Sequence, residues 1–458
     1  MSDYLEFLEK KRHSVIDSGI KITESALNDY GMFDYQQYAA YKSISKGRFA
    51  DFIDTGLGKT IIQLVIADIY AKHFNRPVLI LTPLAVAFQF VLESEKFNIN
   101  DVQYSKDGAY KGKIIICNYE RLNKFNHQDF CAVICDESSI LKNFDGKIKE
   151  QITSFMKKVD YRYLFTATPS PNDFIELGTS SEALGHMGYM DMLSKFFTNN
   201  QDSIDPNKIG VKWVLKSHAE RHFFDWVSSW SLSMRKPSDL GFNDDRHILP
   251  ELKVNHHKVY NDSNLCVNNQ WQLIPAAATR LTEVREEQKA TIEKRCEMAV
   301  NLTSNHDTSV YWCNFNKEAE LLLSMDNTAY EVKGSMNLDK KEEILLAFAK
   351  GEIKKLITKP KITSFGLNWQ HCNHTVYFPT FSYEQYYQSI RRFWRFGQKN
   401  PVTVDLVYSD GQEKVIQSLE SKTKKANQLF NKLNQSINNS YTETKKDFNQ
   451  SITLPSFL

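Results

Sequence analysis

Short apolar runs recur between residues 49 and 169, and stretches with apolar residues at helical spacing lie between them. The runs cover residues 49–53, 77–84, 113–119, 130–139 and 163–169, and residues 61–70 show the helical spacing most clearly. Short apolar runs are typical of buried strands, and strands that alternate with helices form mostly parallel sheets. This part of the chain is therefore predicted to form an α/β unit.

A second set of apolar runs predicts another α/β unit nearer the C-terminus. A long charged helix over residues 283–300 leads into strands expected at 309–315, 330–335, 355–359 and 375–379. Between the two sets, residues 174–250 break the strand–helix rhythm and carry aromatic residues at helical spacing, which predicts a helical insertion. The polar residues from 435 onwards are expected to be poorly ordered or to depend on a partner.

The turn after the first apolar run has the composition of a phosphate-binding loop. Gly56 and Gly58 let backbone N–H groups converge on an anion, and the start of the following helix adds a partial positive charge. The Lys59 ammonium can reach β- and γ-phosphates, and the Thr60 hydroxyl can hold Mg²⁺. The strict pattern has glycine where this chain has Ile53, so a helix that simply begins after a Gly-Leu-Gly turn is the alternative.

Two adjacent carboxylates, Asp136 and Glu137, follow the fourth apolar run. Ligands of parallel sheets bind at the carboxyl ends of the strands, where these carboxylates and Lys59 are all expected. Asp136 can hold Mg²⁺ through water, and Glu137 can orient and deprotonate an attacking water. A solvated acidic turn is the alternative, but the phosphate-binding loop in the same predicted sheet favours the catalytic interpretation.

A cluster of arginines lies within residues 388–398. Arg392 and Arg395 are three residues apart, which would place them on one face of a helix. Planar guanidinium groups on one face can clamp a γ-phosphate delivered by another domain. A basic helix on the surface, in contact with nucleic acid, is the alternative.

Composition narrows the choice of function only slightly. The chain has 458 residues, of which 41% are hydrophobic and 24% charged, as in ordinary globular proteins of two or three domains. Its formal net charge is only +2, so any nucleic-acid site must be a local patch. The seven cysteines show no zinc-binding spacing, and their odd number argues against a disulfide framework, which predicts a reducing compartment. The first residues lack a signal-peptide core, and no apolar run is long enough to span a bilayer.

In order and spacing, the motifs resemble those of superfamily 2 helicases. The resemblance is closest to the SNF2-like branch, especially to compact versions encoded by bacteriophages and prophages. Residues 54–60 resemble motif I, 136–139 motif II, 166–169 motif III, 366–368 motif V and 388–398 motif VI. Gln36 resembles the glutamine with which the family reads adenine.

The resemblance implies two RecA-like α/β lobes with parallel sheets, a helical insertion, and ATP hydrolysed between the lobes when they close. The implied domains are an N-terminal helical extension (1–30), lobe 1 (31–173), the insertion (174–250), lobe 2 (251–420) and a polar C-terminal tail (421–458). The implied nucleotide contacts are Gln36, Thr55, Gly56, Leu57, Gly58, Lys59, Thr60, Asp136 and Gly366. Thr60 and Asp136 would hold Mg²⁺, and the implied catalytic residues are Glu137, Arg392 and Arg395.

By the same resemblance, the activity is a DNA-stimulated ATPase that translocates on duplex DNA through contacts mostly to phosphates. The expected location is the cytoplasm of a bacterial or phage-infected cell. A strand-separating helicase is the alternative.

One departure from the family concerns Ser138 and Ser139. SNF2 proteins usually carry a small residue and a histidine here, and that histidine couples hydrolysis to motion. Ser139 or a motif III threonine could replace it by hydrogen bonding. The departure also motivates a nucleotide-gated DNA clamp that hydrolyses little. A further possibility is the motor subunit of a restriction or defence complex, with cleavage supplied by a partner.

Overall fold

The chain folds into two compact units, each with its own parallel sheet. The computed structural model describes residues 18–83, 86–142, 146–199, 213–244, 247–260, 266–267, 270–271, 288–363 and 368–450. Unit 1 comprises Met1–Arg246 and Ala426–Leu458, and unit 2 comprises His247–Lys425. Within the described residues, no helix has both the length and the apolar character needed to cross a bilayer.

Unit 1 is built on a sheet of seven strands. They are β1 (Arg48–Ile53), β2 (Val78–Thr82), β3 (Val102–Tyr104), β4 (Ile114–Asn118), β5 (Ala132–Asp136), β6 (Tyr161–Phe165) and β9 (Ser231–Met234). Their order is β3-β4-β2-β5-β6-β1-β9, and all neighbours run parallel. The short strands β7 (Phe197–Asn199) and β8 (Trp213–Leu215) pair separately and antiparallel.

Helices cover both faces of this sheet. They are α1 (Asp34–Lys46), α2 (Lys59–Phe74), α3 (Ala87–Lys96), α4 (Lys147–Met156), α5 (Leu177–Leu184), α6 (Tyr189–Phe196) and α7 (Glu220–Trp230). Successive side chains of a strand point to opposite faces, and Phe49 and Ala50 of β1 accordingly lie in two different apolar clusters. Burial on both faces explains why these strands read as continuous apolar runs.

Short 3₁₀ helices occur in both units. They lie at Glu24–Tyr30, Tyr119–Lys124, His127–Asp129, Ser138–Lys142, Phe174–Glu176, Ser217–Ala219, Pro237–Leu240 and Asp410–Gln412.

Unit 2 contains a six-stranded sheet. Its strands are β10 (Leu252–Val259), β13 (Ser309–Trp312), β14 (Ala329–Glu331), β15 (Lys355–Thr358), β16 (His374–Tyr377) and β17 (Val402–Ser409), in the parallel order β10-β17-β16-β13-β15-β14. The two-residue strands β11 (Cys266–Val267) and β12 (Gln270–Trp271) pair separately. The helices are α8 (Ile292–Thr303), α9 (Asn316–Met325), α10 (Leu338–Ala349), α11 (Pro360–Thr363) and α12 (Tyr383–Ile390). Two parallel-sheet α/β units agree with the predicted fold class.

A polar cluster around the buried Asp405 joins strands β10, β16 and β17 of the unit 2 sheet. Both carboxylate oxygens of Asp405 are used: Oδ2 lies 2.8 Å from His374 Nε2, and Oδ1 lies 2.8 Å from both His257 Nε2 and Asn255 Nδ2. Burial alone would raise the pKa of Asp405, but the hydrogen bonds from His374, Asn255 and His257 lower it to about 2. The imidazole of His374 also contacts the Ser309 hydroxyl at 2.8 Å, so this histidine is part of the core.

Every predicted strand is present, but the pattern did not predict β3, β9, β10 and β17 of the two large sheets or the short pairs β7–β8 and β11–β12. β3 has only three residues, and β9 mixes two serines with two apolar residues. β10 lies at a sheet edge and is largely exposed, which explains its polar sequence. Residues 174–250 accordingly do more than form helices, because their last strand, β9, completes the unit 1 sheet beside β1.

The C-terminal region is more regular than expected. A single helix, α13, covers Glu413–Gln450, where disorder or partner-dependence was predicted from residue 435 onwards. From Ala426 onwards it belongs to unit 1, and Leu429, Phe430 and Leu433 are buried in an apolar cluster of that unit. Of the long charged helix expected over residues 283–300, the structure describes α8, which covers Ile292–Thr303. Residues 272–287 lie outside the described part of the chain, so the start of this helix stays a prediction.

Candidate functional site

The predicted phosphate loop and the predicted acidic pair end neighbouring strands of unit 1. β1 and β5 both pair with β6 in parallel, so all three end at the same edge of the sheet. Ile53 ends β1, Asp136 ends β5 and Phe165 ends β6. In parallel α/β sheets, this edge is where ligands bind.

The loop after β1 has the backbone of an anion cradle. Gly56 and Gly58 have φ angles of 86° and 83°, in the left-handed region that favours glycine. A Cβ on Gly58 would lie 2.1 Å from Gln36 Nε2, so a side chain there would have to displace the Gln36 amide. Helix α2 begins directly at Lys59 without a side-chain cap, and the N-terminus of a helix is a favourable place for an anion.

Polar contacts fix both ends of this loop. The Asp54 backbone N–H donates to the carbonyl of Met234 on β9 at 2.8 Å, and the Asp54 carboxylate accepts from the Thr55 N–H at 2.6 Å. Lys59 Nζ donates to the Ile53 carbonyl at 3.1 Å. The Lys59 and Thr60 side chains are half-buried at the start of α2, whereas Leu57 is buried.

Gln36, the predicted adenine reader, contacts the phosphate loop. Its Nε2 donates to the Leu57 carbonyl at 3.0 Å and to the Tyr35 hydroxyl at 3.2 Å, while its Oε1 accepts from the Phe33 N–H at 3.0 Å. Gln36 is buried, and it joins the start of α1 to the loop. Its role in reading adenine stays a prediction, and it would require the amide to exchange some of these partners.

Asp136 is held at both its carbonyl and its carboxylate. The Tyr119 hydroxyl donates to the Asp136 carbonyl, and Gln63 Nε2 on α2 donates to Asp136 Oδ1 at 2.7 Å. Burial, followed by the neighbouring charge of Glu137, raises the pKa of Asp136 to about 7. A bound cation would offset both effects, because it favours the ionised carboxylate.

Glu137 combines an unusual backbone with an unused carboxylate oxygen. Its φ of 49° lies in the left-handed region, which a residue other than glycine adopts at a cost of about 1–2 kcal/mol. The side chain is 92% buried, since its exposed fraction is 8%, and within the described residues its Oε2 has no hydrogen-bond partner. A buried acceptor without a donor is costly, so this oxygen is suited to a ligand or a water that arrives with the substrate.

Ser139 and the motif III threonines, which could replace the missing histidine, are buried at the same edge, and so is the neighbouring Ser138. Ser138, Ser139, Thr166 and Thr168 are all nearly inaccessible. Thr166 Oγ1 accepts from the Thr168 N–H at 3.0 Å, which shapes the turn after β6. In the described part of the chain, the hydroxyls of Ser138 and Thr168 have no hydrogen-bond partner. These hydroxyls could therefore bond to a group outside the protein.

The residues at this edge fit a magnesium nucleotide. The Thr60 hydroxyl and the Asp136 carboxylate offer the oxygen ligands that Mg²⁺ prefers. The glycine cradle excludes side chains next to the phosphates, and Glu137 Oε2 is a buried acceptor available for a water.

The predicted helical face of Arg392 and Arg395 is wrong. Helix α12 ends at Ile390, and residues 391–397 form successive turns. The Arg392 carbonyl accepts from the Trp369 N–H at 3.1 Å, and Gly397 has a φ of 91°. The fully buried Phe393 anchors this turn in the core of unit 2, so packing overrides the helical continuation.

The three arginines of this segment, Arg391, Arg392 and Arg395, differ in burial. Arg391 lies against the rings of Trp394 and Tyr387 and donates to the Trp394 carbonyl at 3.0 Å. Burial, followed by the nearby charge of Arg395, lowers the pKa of Arg391 to about 9. Arg392 is buried and Arg395 is half-buried. Gly366, the predicted motif V contact, lies outside the described residues.

Arg235, which follows β9, contacts helix α13. Its guanidinium donates to Asn427 Oδ1 at 2.7 Å and lies 4.1 Å from the centre of the Phe430 ring.

Sequence reasoning missed three contributors to the site: Gln63, Tyr119 and Met234. Gln63 had a detectable signal, because it is the single polar residue within residues 61–67 of helix α2. The contacts of Tyr119 and Met234 depend on how distant segments pack, and nothing in the local pattern indicates them.

Comparisons with known proteins match parts of the chain to helicases and chromatin regulators. Helicase conserved C-terminal domain is the family that matches residues 290–397. The SWI/SNF-related matrix-associated actin-dependent regulator of chromatin subfamily A-like protein 1 of Bos taurus is 31% identical over 144 residues, covering 29% of this chain and 15% of the relative. The chromatin structure-remodeling complex subunit snf21 of Schizosaccharomyces pombe is 25% identical over 199 residues, covering 38% of this chain and 16% of the relative.

A further relative, the ATP-dependent helicase brm of Drosophila melanogaster, is 27% identical over 194 residues, which cover 38% of this chain and 12% of the relative. This chain thus spans less than a fifth of the length of these relatives. The Sulfolobus solfataricus SWI2/SNF2 ATPase core in complex with dsDNA superposes with a TM-score of 0.40 and 17% identity, over 93% of this chain and 97% of that one. Over the parts that match in sequence, the chain is similar to SNF2-like helicases of superfamily 2.

Proposed function

We propose that the protein is an ATP-dependent DNA motor: a DNA-stimulated ATPase that translocates on duplex DNA. The observation that carries the proposal is the edge of the unit 1 sheet, where a glycine cradle and two carboxylates end neighbouring strands. Similarity to SWI/SNF-related proteins and to a protein named an ATP-dependent helicase supports the choice of substrate. The finer resemblance to compact phage and prophage proteins stays a prediction from the motifs.

Nucleotide binding is assigned to the loop and the start of α2. Backbone N–H groups beside Gly56 and Gly58 would cradle the phosphates, with contacts also from Thr55 and Leu57. Lys59 would move from the Ile53 carbonyl to the β- and γ-phosphates. Thr60 and Asp136 would hold Mg²⁺. When bound, Mg²⁺ would neutralise the negative charge that develops on the phosphates.

Hydrolysis is assigned to Glu137. The unused Oε2 would accept a hydrogen bond from the attacking water, orient it and take its proton. The φ of Glu137 turns the chain sharply after β5, which places this side chain at the end of the strand beside Asp136. Ser138 and Thr168, whose hydroxyls have no bond within the described residues, would complete the surroundings of the γ-phosphate.

Arg392 and Arg395 are proposed to stabilise the transition state. A guanidinium that meets the γ-phosphate only during the catalytic cycle neutralises developing charge, and it leaves ground-state binding nearly unchanged. Because both arginines lie in unit 2 and the phosphate loop lies in unit 1, their action would link hydrolysis to motion of the units.

The proposal is tested by hydrolysis with different nucleic acids. ATP turnover should rise more with duplex DNA than with single strands or RNA, and the rise should weaken at high salt, because phosphate contacts dominate. A triplex-displacement assay then measures translocation without strand separation, and Glu137→Gln is the inactive control. Stimulation by single strands or RNA alone, without triplex displacement, would identify a strand-separating helicase. Absence of stimulation by any nucleic acid would overturn the motor assignment.

A further inference from the structure

Gln63 is a buried amide among apolar residues of helix α2, which is an unfavourable position for a polar side chain without a function. It lies on α2 with no measurable exposure, among buried apolar neighbours such as Ile62 and Leu64. Burying an amide is unfavourable unless its polar atoms are hydrogen-bonded. Its Nε2 donates to Asp136 Oδ1 at 2.7 Å. Its Oε1 has no partner among the described residues, so the hydrogen bond to Asp136 is what offsets the cost of burying this amide.

We propose that Gln63 is a positioning residue for the metal-binding carboxylate of Asp136. By holding Oδ1, it fixes the rotation of the carboxylate and would leave Oδ2 to the cation. This inference rests on the proposed function, since it assumes that Asp136 binds the magnesium of a nucleotide.

Two features of the geometry support a positioning role. The carboxylate torsion of aspartate is broad, so a second partner is needed to select one orientation. Gln63 is three residues after Thr60 on the same helix, so both lie on one face of α2. One turn of helix thus carries a magnesium ligand and the anchor of the other ligand. This arrangement fixes the spacing between the hydroxyl and the carboxylate.

The direction of the hydrogen bond follows from the partners. With a cation bound, the Asp136 carboxylate is ionised and only accepts, so the amide must present its N–H₂ group to it. Groups that orient metal ligands in this way are worth about 10–100-fold in metal affinity or activity. A residue that merely fills space would contribute to stability and leave metal affinity unchanged.

The test measures metal binding directly in the full chain. Gln63→Met keeps the length and helix propensity of the side chain but removes the donor. Mn²⁺ serves as the probe, and its affinity is measured by electron paramagnetic resonance with a non-hydrolysable ATP analogue. We expect the dissociation constant to rise about 10–100-fold. Gln63→Asn, which keeps the amide but is too short to reach Asp136, should give the same loss and serves as the second variant.

A matched control comes from another glutamine of unit 1. Gln103 on β3 accepts from the Lys111 and Gly112 N–H groups at 2.8 and 3.2 Å, so it has a structural role away from the site. Gln103→Met should change thermal stability without changing Mn²⁺ affinity. If Gln63→Met and Gln63→Asn both bind Mn²⁺ within twofold of the unaltered protein, the positioning role is overturned.

A double-mutant cycle separates this inference from the proposed function. Asp136→Asn should lose most Mn²⁺ affinity, and adding Gln63→Met should then have no further effect, because the two act on the same ligand. If Asp136→Asn weakens binding but Gln63→Met does not, the proposed function stands and the role of Gln63 fails. Unchanged Mn²⁺ affinity in Asp136→Asn would remove the basis of both.

Discussion

Glu137 lies at the sheet edge with a buried oxygen, Oε2, that has no hydrogen-bond partner in the described part of the protein. If this oxygen orients the attacking water, Glu137→Gln should keep the shape of the site but lose the proton acceptor. The affinity for ATP should then stay within a few-fold of that of the unaltered protein, while the rate of ATP turnover falls by about 10²–10⁴-fold. Binding of a fluorescent ATP analogue and steady-state hydrolysis measure the two effects.

Lys59→Ala is the matched comparison for Glu137→Gln. It removes a phosphate-binding ammonium from the same edge of the sheet, so binding itself should be lost. A Glu137→Gln protein that hydrolyses ATP at the normal rate would refute the assignment of the catalytic base.

At the scale of single residues, the sequence predicted those functional residues whose position follows from the residues next to them in the chain. Lys59 and Thr60 follow a glycine turn, and Asp136 and Glu137 follow an apolar run, so their placement at strand ends was predictable. The hydrogen bond from Gln63 to Asp136 joins residues 73 positions apart. Such a contact depends on the rotation of α2 against β5, and local pattern does not determine that rotation.

Among the elements, those with strong periodicity were predicted and those shaped by packing were not. Buried strands such as β2 and β4 are uninterrupted apolar runs, whereas β9 acquires its strand conformation by pairing with β1. The arginine segment after α12 reads as a continuing helix. Burial of Phe393 and the hydrogen bond between Trp369 and Arg392 hold it in turns instead.

The packing of helix α13 against unit 1 predicts that a substitution in this helix destabilises unit 1. Phe430 is 2% exposed, packs in the core of unit 1 and carries the guanidinium of Arg235 on its ring. Phe430→Ala should lower the free energy of unfolding of unit 1 by about 3–5 kcal/mol, because it removes a large buried ring and leaves a cavity. Urea unfolding, monitored by tryptophan fluorescence, measures this change.

Gln428→Ala on the same helix is the control for Phe430→Ala. Gln428 is exposed, and alanine is a good helix former. The free energy of unfolding of this variant should therefore stay within about 0.5 kcal/mol of that of the unaltered protein. Equal stability of the two variants would mean that α13 does not contribute to the core of unit 1.

For the whole molecule, the sequence predicted two α/β units but not how the chain is divided between them. Apolar runs identify each sheet separately, since each run is buried within its own unit. The return of residues from Ala426 onwards to unit 1 depends on a few apolar positions in a polar helix. Those positions fit many helix surfaces, so their packing partner is set only by the complete fold.

The arginines of unit 2 allow the motor mechanism to be tested in the intact chain. If Arg395 stabilises the γ-phosphate in the transition state, Arg395→Ala should leave ATP affinity nearly unchanged and reduce turnover by about 10³–10⁵-fold, or less if Arg392 shares the role. Arg395→Lys should restore only part of the rate, since an ammonium lacks the planar fork of donors. Arg392 is buried, so Arg392→Lys is its informative variant, read together with its melting temperature.

The measurement that distinguishes catalysis from DNA binding is turnover at saturating ATP and saturating duplex DNA. A basic DNA-contact patch would raise the DNA concentration needed for half-maximal turnover, and the full rate would return at saturation. A transition-state role would leave the rate low however much DNA is added. Lys399→Ala is the matched control, because it removes an exposed cation from the same segment. It should change neither the turnover at saturating DNA nor the affinity for ATP by more than about twofold. Recovery of the normal plateau by both the Arg392 and the Arg395 variants would remove these arginines from the catalytic step.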